Sequence, residues 1–217
     1  MTTALFGFAL AATLVILAPG PDFMLVMRNT VRGGRRAGWV TGCGTLSGLT
    51  VWALAAALGL SALLRVSHVA YDVLRFCGAA YLIWLGVTSL ISFRRKRADR
   101  ASTAPDLAAL GQAPVRPGRA YLNGMLSNLL NPKISVFFMA FLPAFVPAGA
   151  STSQFSLVLG AWFIAETGLW LAVVAWLADR GVRWLRRPRV QRWLERITGI
   201  VLIGFGLRLA TESRRFA

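Results

Sequence analysis

Three charged residues lie in apolar stretches: Asp22 in LAPGPDFMLV, Lys133 in LLNPKISVFF and Glu166 in AWFIAETGLW. Two of them directly follow a proline. Charge in such surroundings is costly and usually faces a cavity or a partner. An aspartate can receive an ammonium group or carry a proton, a lysine can hold a carboxylate, and a glutamate in a low dielectric can load and release a proton. Less demanding readings stand beside these: Asp22 as a helix cap, Lys133 snorkelling to an interface, and Glu166 hydrogen-bonded to a neighbouring helix. Bond-making chemistry has no candidate. There is no nucleophile–base pair, Walker loop or Gly-x-Ser-x-Gly, and the single histidine, His68, joins no Cys/His cluster suited to zinc or copper.

The elements that must position these residues are membrane helices. The chain has 217 residues, 56% of them hydrophobic, and a net charge of +16 from 24 basic and 8 acidic side chains. In a soluble protein that charge would point to nucleic acid or an anionic surface. Here the basic residues fall between apolar runs that approach or exceed the roughly 20 residues needed to span a bilayer. The run from Ala4 to Ala18 has signal-peptide length, but no basic residue precedes it and Pro-Gly-Pro-Asp is no cleavage site. It reads as the start of a spanning helix.

The pattern predicts an all-α polytopic membrane protein with six spans, near 4–28, 39–64, 69–92, 119–146, 153–178 and 194–211. Eighteen of the basic residues follow spans one, three and five: Arg28 to Arg36, Arg94 to Arg119, and Arg180 to Arg196. Five fall on the other side, and Lys133 lies within a span. The positive-inside rule then puts the three basic connections in the cytoplasm and both termini outside. This accounts for the charge with membrane lipids as partners and no nucleic acid. Residues 94–118 read as a cytoplasmic linker between a three-helix half at 1–93 and a second at 119–217, all within one transmembrane domain. With an odd number of spans in each half, any repeat between them is inverted, a frequent transporter architecture.

Spans one and four should both be broken. Pro19 and Pro21 lack N–H groups and free carbonyls about one turn upstream. Gly20 as cap and Pro21 at the first helical position would start a second half-helix, with Asp22 in its first turn, where the helix dipole favours a negative charge. Asn131, Pro132 and Lys133 repeat the arrangement in the other half. The dipole opposes a lysine there, so Lys133 needs another reason, and an Asp22–Lys133 pair would answer both charges. Gly44 and Gly48 form a Gly-x-x-x-Gly suited to close helix packing or to a substrate path. Trp176, Trp184 and Trp193 read as interfacial belt residues, and Cys43 and Cys77 as small buried hydrophobes without a redox role.

These motifs, PGPDF, RGGRRAG, AALGLSALL, YLIWLG and NPKISVFFMAFLPAFV, resemble those of the LysE/RhtB amino-acid exporters from about residue 5 to 210. The resemblance implies export of amino acids such as lysine, threonine, homoserine or leucine from the bacterial cytoplasm across the inner membrane, by proton-coupled exchange without a cofactor. It places the family's motifs on Pro19, Gly20, Pro21 and Asp22, and on Asn131, Pro132 and Lys133. Many relatives carry an aspartate after the glycine corresponding to Gly48, where this chain has Leu49. That departure favours a neutral or hydrophobic amino acid over a cationic one. The substrate site is then expected between the two halves, with Asp22 or Glu166 carrying the proton. A metal-ion or other small-solute exporter of the same superfamily and a non-transporting membrane scaffold remain alternatives, and a second copy in a homodimer is a candidate partner.

Overall fold

The computed structural model describes residues 2–17, 20–66, 68–99, 116–147, 150–176 and 188–211. Pro19, Trp184, Arg180 to Arg187 and most of the expected linker lie outside these residues. The described residues are helical almost throughout, with no strand among them. The first helix, α1 (Thr2–Leu17), stops ahead of the proline pair, and α2 (Pro21–Val66) begins at Pro21. The Met24 N–H bonds the Gly20 carbonyl at 3.1 Å, so Gly20 and Pro21 occupy the predicted cap and first helical positions.

The connection between the first two expected spans is tighter than a basic loop. Helical structure continues on both sides of Gly33 and Gly34, the only non-helical residues inside α2. Gly34 has φ 71° and ψ −178°, a conformation that a side chain strains against. Across this turn Asn29 donates to the Thr41 hydroxyl at 2.9 Å, so the arms fold back on one another. The arginines flanking the glycines are good helix formers and need no loop of their own.

Next come α3 (His68–Asp99), α4 (Pro117–Leu129), α5 (Pro132–Val136), α6 (Thr152–Trp176) and α7 (Pro188–Thr211). Beyond α5 the chain continues as a π turn at Phe137–Phe141 and a 3-10 turn at Leu142–Phe145. The segment from Pro132 to Phe145 is bent by 50° from α4, as the Asn131-Pro132 break predicts. Among the described residues, Pro21–Gly59 and Thr152–Trp176 are long and apolar enough to cross a membrane, and the bent pair makes a third span if counted as one. Leu5–Leu17 and Gly199–Thr211 are apolar but shorter.

Helix α2 packs on α4 and α6, and α3 packs on α7. Glycines set the closest of these contacts. A Cβ on Gly44 would run into the Tyr121 carbonyl of α4, and one on Gly124 into the Thr41 carbonyl of α2. The Gly-x-x-x-Gly therefore serves helix approach. Because the obstructing atoms are backbone, Gly124→Val should force α2 and α4 apart and cost about 1–3 kcal/mol. A lowered thermal unfolding temperature in detergent is the expected result.

The core is aromatic. Phe8, Phe137, Phe138, Phe141 and Phe163 are each at most 1% exposed. Their rings meet at favourable distances, 4.7 Å for Phe137–Phe163 and 5.4 Å for Phe8–Phe145, each pair contributing about 0.5–1.5 kcal/mol beyond burial. The outer surface is apolar as well. Phe6, Leu58, Leu130 and Leu169 are all more than two-thirds exposed, and Trp176 and Trp193 nearly so. Such a surface suits hydrocarbon rather than water. Threonine hydroxyls on it turn back to the carbonyl four residues earlier, as Thr50 does to Leu46 at 2.9 Å, which keeps the backbone and side chain satisfied without water.

Candidate functional site

The two breaks meet. Asp22, on the first turn of α2, faces α4 and the Asn131 corner. Its Oδ1 accepts from Ser127 Oγ at 2.9 Å, and its Oδ2 accepts from Asn128 Nδ2 at 2.9 Å and Asn131 Nδ2 at 3.1 Å. Three neutral donors from the opposite half thus solvate one carboxylate, with charge-assisted bonds stronger than ordinary ones. Asn131 also caps its own helix, its Oδ1 accepting from the Lys133 N–H at 3.1 Å. Both ends of that amide are used, one for the local turn and one for the other half.

Lys133 reaches the opposite way. Its Nζ donates to the Val15 carbonyl at 3.1 Å. Val15 is among the last four residues of α1, whose carbonyls have no donor within the helix. The lysine in the first turn of α5 thereby satisfies the broken backbone of α1. This explains a cation that the local dipole disfavours. Asp22 and Lys133 line the same cavity, each bonded to the other half of the chain.

That cavity has a volume of about 40 Å³ and is bounded by Val15, Gly20, Asp22, Asn128, Asn131 and Lys133 around the breaks. Leu49 of α2 and Phe163, Thr167 and Trp170 of α6 complete its wall. Leu49 is fully buried there and presents an apolar side chain to the cavity. Pro21 and Pro132 are both exposed and act through the backbone they shape.

Glu166 is not part of the lining. It sits on α6 beside α1, where Thr13 Oγ1 donates to its Oε1. The same hydroxyl lies 2.9 Å from the Ala9 carbonyl of its own helix. Among the described residues Glu166 Oε2 is buried without a hydrogen-bond partner. The side chains that complete the surroundings, Ser127, Asn128, Thr13 and Thr167, were not singled out from the sequence. A signal existed for some. Thr13 is the only polar side chain between Ala4 and Ala18, and Ser127 and Asn128 stand one turn before Asn131 in an apolar run. Among the described residues no three His, Cys, Asp or Glu side chains gather as metal ligands.

The arrangement has two interrupted helices, opposite charges at one cavity, and an acid beside it. It suits binding and release of a small charged guest within a helical bundle. Comparison with known proteins agrees with that chemistry. The family profile for LysE type translocator matches residues 13–213. The uncharacterized membrane protein YrhP of Bacillus subtilis (strain 168) is 32% identical over 207 residues, covering 94% of this chain and 97% of that protein. The homoserine/homoserine lactone efflux protein of Salmonella typhi is 31% identical over 207 residues, covering 95% of each. The threonine efflux protein of Escherichia coli (strain K12) is 30% identical over 207 residues, 93% of this chain and 94% of that protein. No solved structure matches significantly. The chain is a membrane protein and belongs to the LysE type translocator family.

Proposed function

We propose that this protein exports a neutral or hydrophobic amino acid, such as threonine, homoserine or leucine, across the bacterial inner membrane in exchange for protons. The observation that carries the reading is the meeting of the two proline breaks at one cavity, with Asp22 and Lys133 on its wall. The zwitterion's carboxylate takes the Lys133 ammonium from the Val15 carbonyl. Its ammonium is received on the Asp22 side, where Asn128 and Asn131 adjust their bonds. Each end of the guest thus competes with a bond joining the halves. That differential interaction is what a ligand needs to shift a conformational equilibrium. The buried Leu49 in place of an acid favours a neutral side chain.

The cavity's volume of about 40 Å³ is less than an amino acid requires. Entry therefore requires the halves to part. The aromatic cluster from Phe8, Phe141 and Phe145 to Phe163, which also lines the cavity, closes the side of the cavity toward the start of α1. With both termini outside, this is the outer side, and alternating access opens it as the inner side closes.

The six-span inverted repeat is supported by the packing. The long arm of α2 lies on α6, and α3 lies on α7, which pairs second with fifth and third with sixth spans as a two-fold axis would. Residues 94–118 then connect the halves in the cytoplasm, on the same side as the exposed Arg28, Arg35 and Arg36 at the turn of α2 and Arg116 and Arg119 at the start of α4.

Counterflow in proteoliposomes tests the function. Each amino acid is loaded inside in turn, with and without a pH gradient. Saturable exchange of at least one neutral amino acid, enhanced by the gradient, is expected; exchange of none would remove the reading.

A further inference from the structure

The polar atoms on the α6 wall of the cavity have a distinctive status. Thr167 is buried, with 9% exposure, and its hydroxyl has no hydrogen-bond partner among the described residues. It differs here from Thr30, Thr41 and Thr50, whose hydroxyls all turn back to the carbonyl one turn earlier. One turn further along α6, the Trp170 indole N–H is also buried without a partner. Its ring is held by stacking on Phe23, with centroids 6.2 Å apart and planes 15° from parallel. On a helix, positions three apart share a face, and both residues line the cavity. Across from them Asn128, at 1% exposure, gives its Nδ2 to Asp22 and keeps an unpartnered Oδ1.

Buried polar groups are hydrogen-bonded as a rule, and each exception calls for a reason. The two charged ends of an amino acid account for Lys133, Asp22 and Asn128 Oδ1, an acceptor suited to an ammonium. They leave the α6 pair. An indole N–H can only donate, whereas a threonine hydroxyl donates or accepts. A guest hydroxyl satisfies both at once, accepting from Trp170 and donating to Thr167. An aliphatic group satisfies neither. A carboxylate in that position would be brought close to Asp22, against Coulomb repulsion.

We propose that Thr167 and Trp170 read a hydroxyl on the substrate's side chain, so that the cavity selects small hydroxylated amino acids over aliphatic ones of the same shape. This rests on the cavity being the substrate site. A site built to bond a hydroxyl rejects the analogue lacking it far more strongly than an apolar pocket rejects a size change. The expected preference is at least about tenfold for each isosteric pair.

The test is counterflow by the full chain in proteoliposomes, comparing threonine with valine and homoserine with norvaline. Wild-type protein should prefer the hydroxylated member of each pair by about tenfold or more. Thr167→Val and Trp170→Phe, which keep volume and ring stacking, should each reduce that ratio severalfold. Thr167→Ser, which keeps the hydroxyl, should restore it. Equal rates for the paired substrates in wild type, or an unchanged ratio in both Thr167→Val and Trp170→Phe, would overturn the hydroxyl reading while leaving the exporter standing. Exchange of no amino acid would bring down the exporter reading and this inference together. The wild-type comparison needs no variant, so a misfolded mutant cannot decide the matter.

Discussion

Replacing Lys133 by alanine is expected to lower amino-acid counterflow at least about 100-fold, with the protein still inserted in the membrane. Two losses combine. The substrate carboxylate loses its only cationic partner among the groups that line the cavity, and truncating one member of a desolvated charge pair commonly costs 2–5 kcal/mol or more. A loss of 100-fold corresponds to ~2.7 kcal/mol. The Val15 carbonyl also loses the donor that Lys133 Nζ supplies at 3.1 Å, at a structural cost of about 1–3 kcal/mol for a buried unpaired acceptor. Lys133→Arg separates the two. Arginine keeps the charge and can still donate to Val15, though its planar fork does not reproduce the ammonium's position. Partial transport by Lys133→Arg, with none by Lys133→Ala, fits the assigned role. Full transport by a correctly inserted Lys133→Ala would remove Lys133 from the substrate site.

The double dependence of Lys133 also shows how far the sequence could be read. That a carbonyl would be freed one turn before Pro19 follows from the chemistry of proline, and so does the placing of Gly20, Pro21, Asn131 and Pro132 at the starts of new half-helices. These are local consequences, and all those within the described residues are present in the fold. Which group takes the freed carbonyl is not local. The bond from Lys133 to Val15 joins residues 118 positions apart, and the one from Thr13 to Glu166 joins residues 153 apart. No spacing rule reaches across such distances without the packing of α1 on α6. The expectation was a direct Asp22–Lys133 pair; the two charges line one cavity, with Asp22 bonded to three neutral donors and Lys133 to the Val15 carbonyl. Two of those donors, Ser127 and Asn128, were visible as polar residues in an apolar run, whereas their aim depends on the packing of α4 against α2.

The π turn at Phe137–Phe141 was less legible still. A run of phenylalanines reads as apolar surface for any spanning helix, and nothing in NPKISVFFMAFLPAFV marks where the helix must widen. The structure gives a physical setting for it. Pro143 lacks the N–H that an α-helix would return to Met139, and the turns leading into it depart from α geometry. Phe137 and Phe145 meet Phe8 of α1, and Phe137 and Phe138 meet Phe163 of α6. A change in this segment's winding would therefore be felt at both the broken helix and the cavity wall, consistent with the frequent placing of π turns at functional positions.

Glu166→Gln is expected to keep the fold and abolish the response of export to a pH gradient. Thr13 has one hydroxyl proton, while its oxygen stands within reach of both the Ala9 carbonyl and Glu166. An ionised Glu166 draws that proton from Ala9. A protonated Glu166 donates its own, and Thr13 can then turn back to Ala9. The two states of the acid thus change the bonding of α1 half a turn before Val15, whose carbonyl holds Lys133 at the cavity. In the proposed mechanism this links a proton beside α6 to Lys133, the group assigned to the substrate carboxylate. Glutamine has nearly the same shape and can donate to Thr13 as the protonated acid does, but it cannot release a proton. One pH unit supplies ~1.4 kcal/mol per proton, about tenfold in accumulation for one-to-one exchange. Proteoliposomes containing Glu166→Gln should lose that tenfold enhancement while exchange without a gradient continues. Thr13→Val, which retains the acid but removes the hydroxyl, should weaken the enhancement without eliminating proton uptake. If Glu166→Gln responds to the gradient as wild type does, the proton travels elsewhere, and Asp22 becomes the acid to test, since it is the only acidic side chain on the cavity wall.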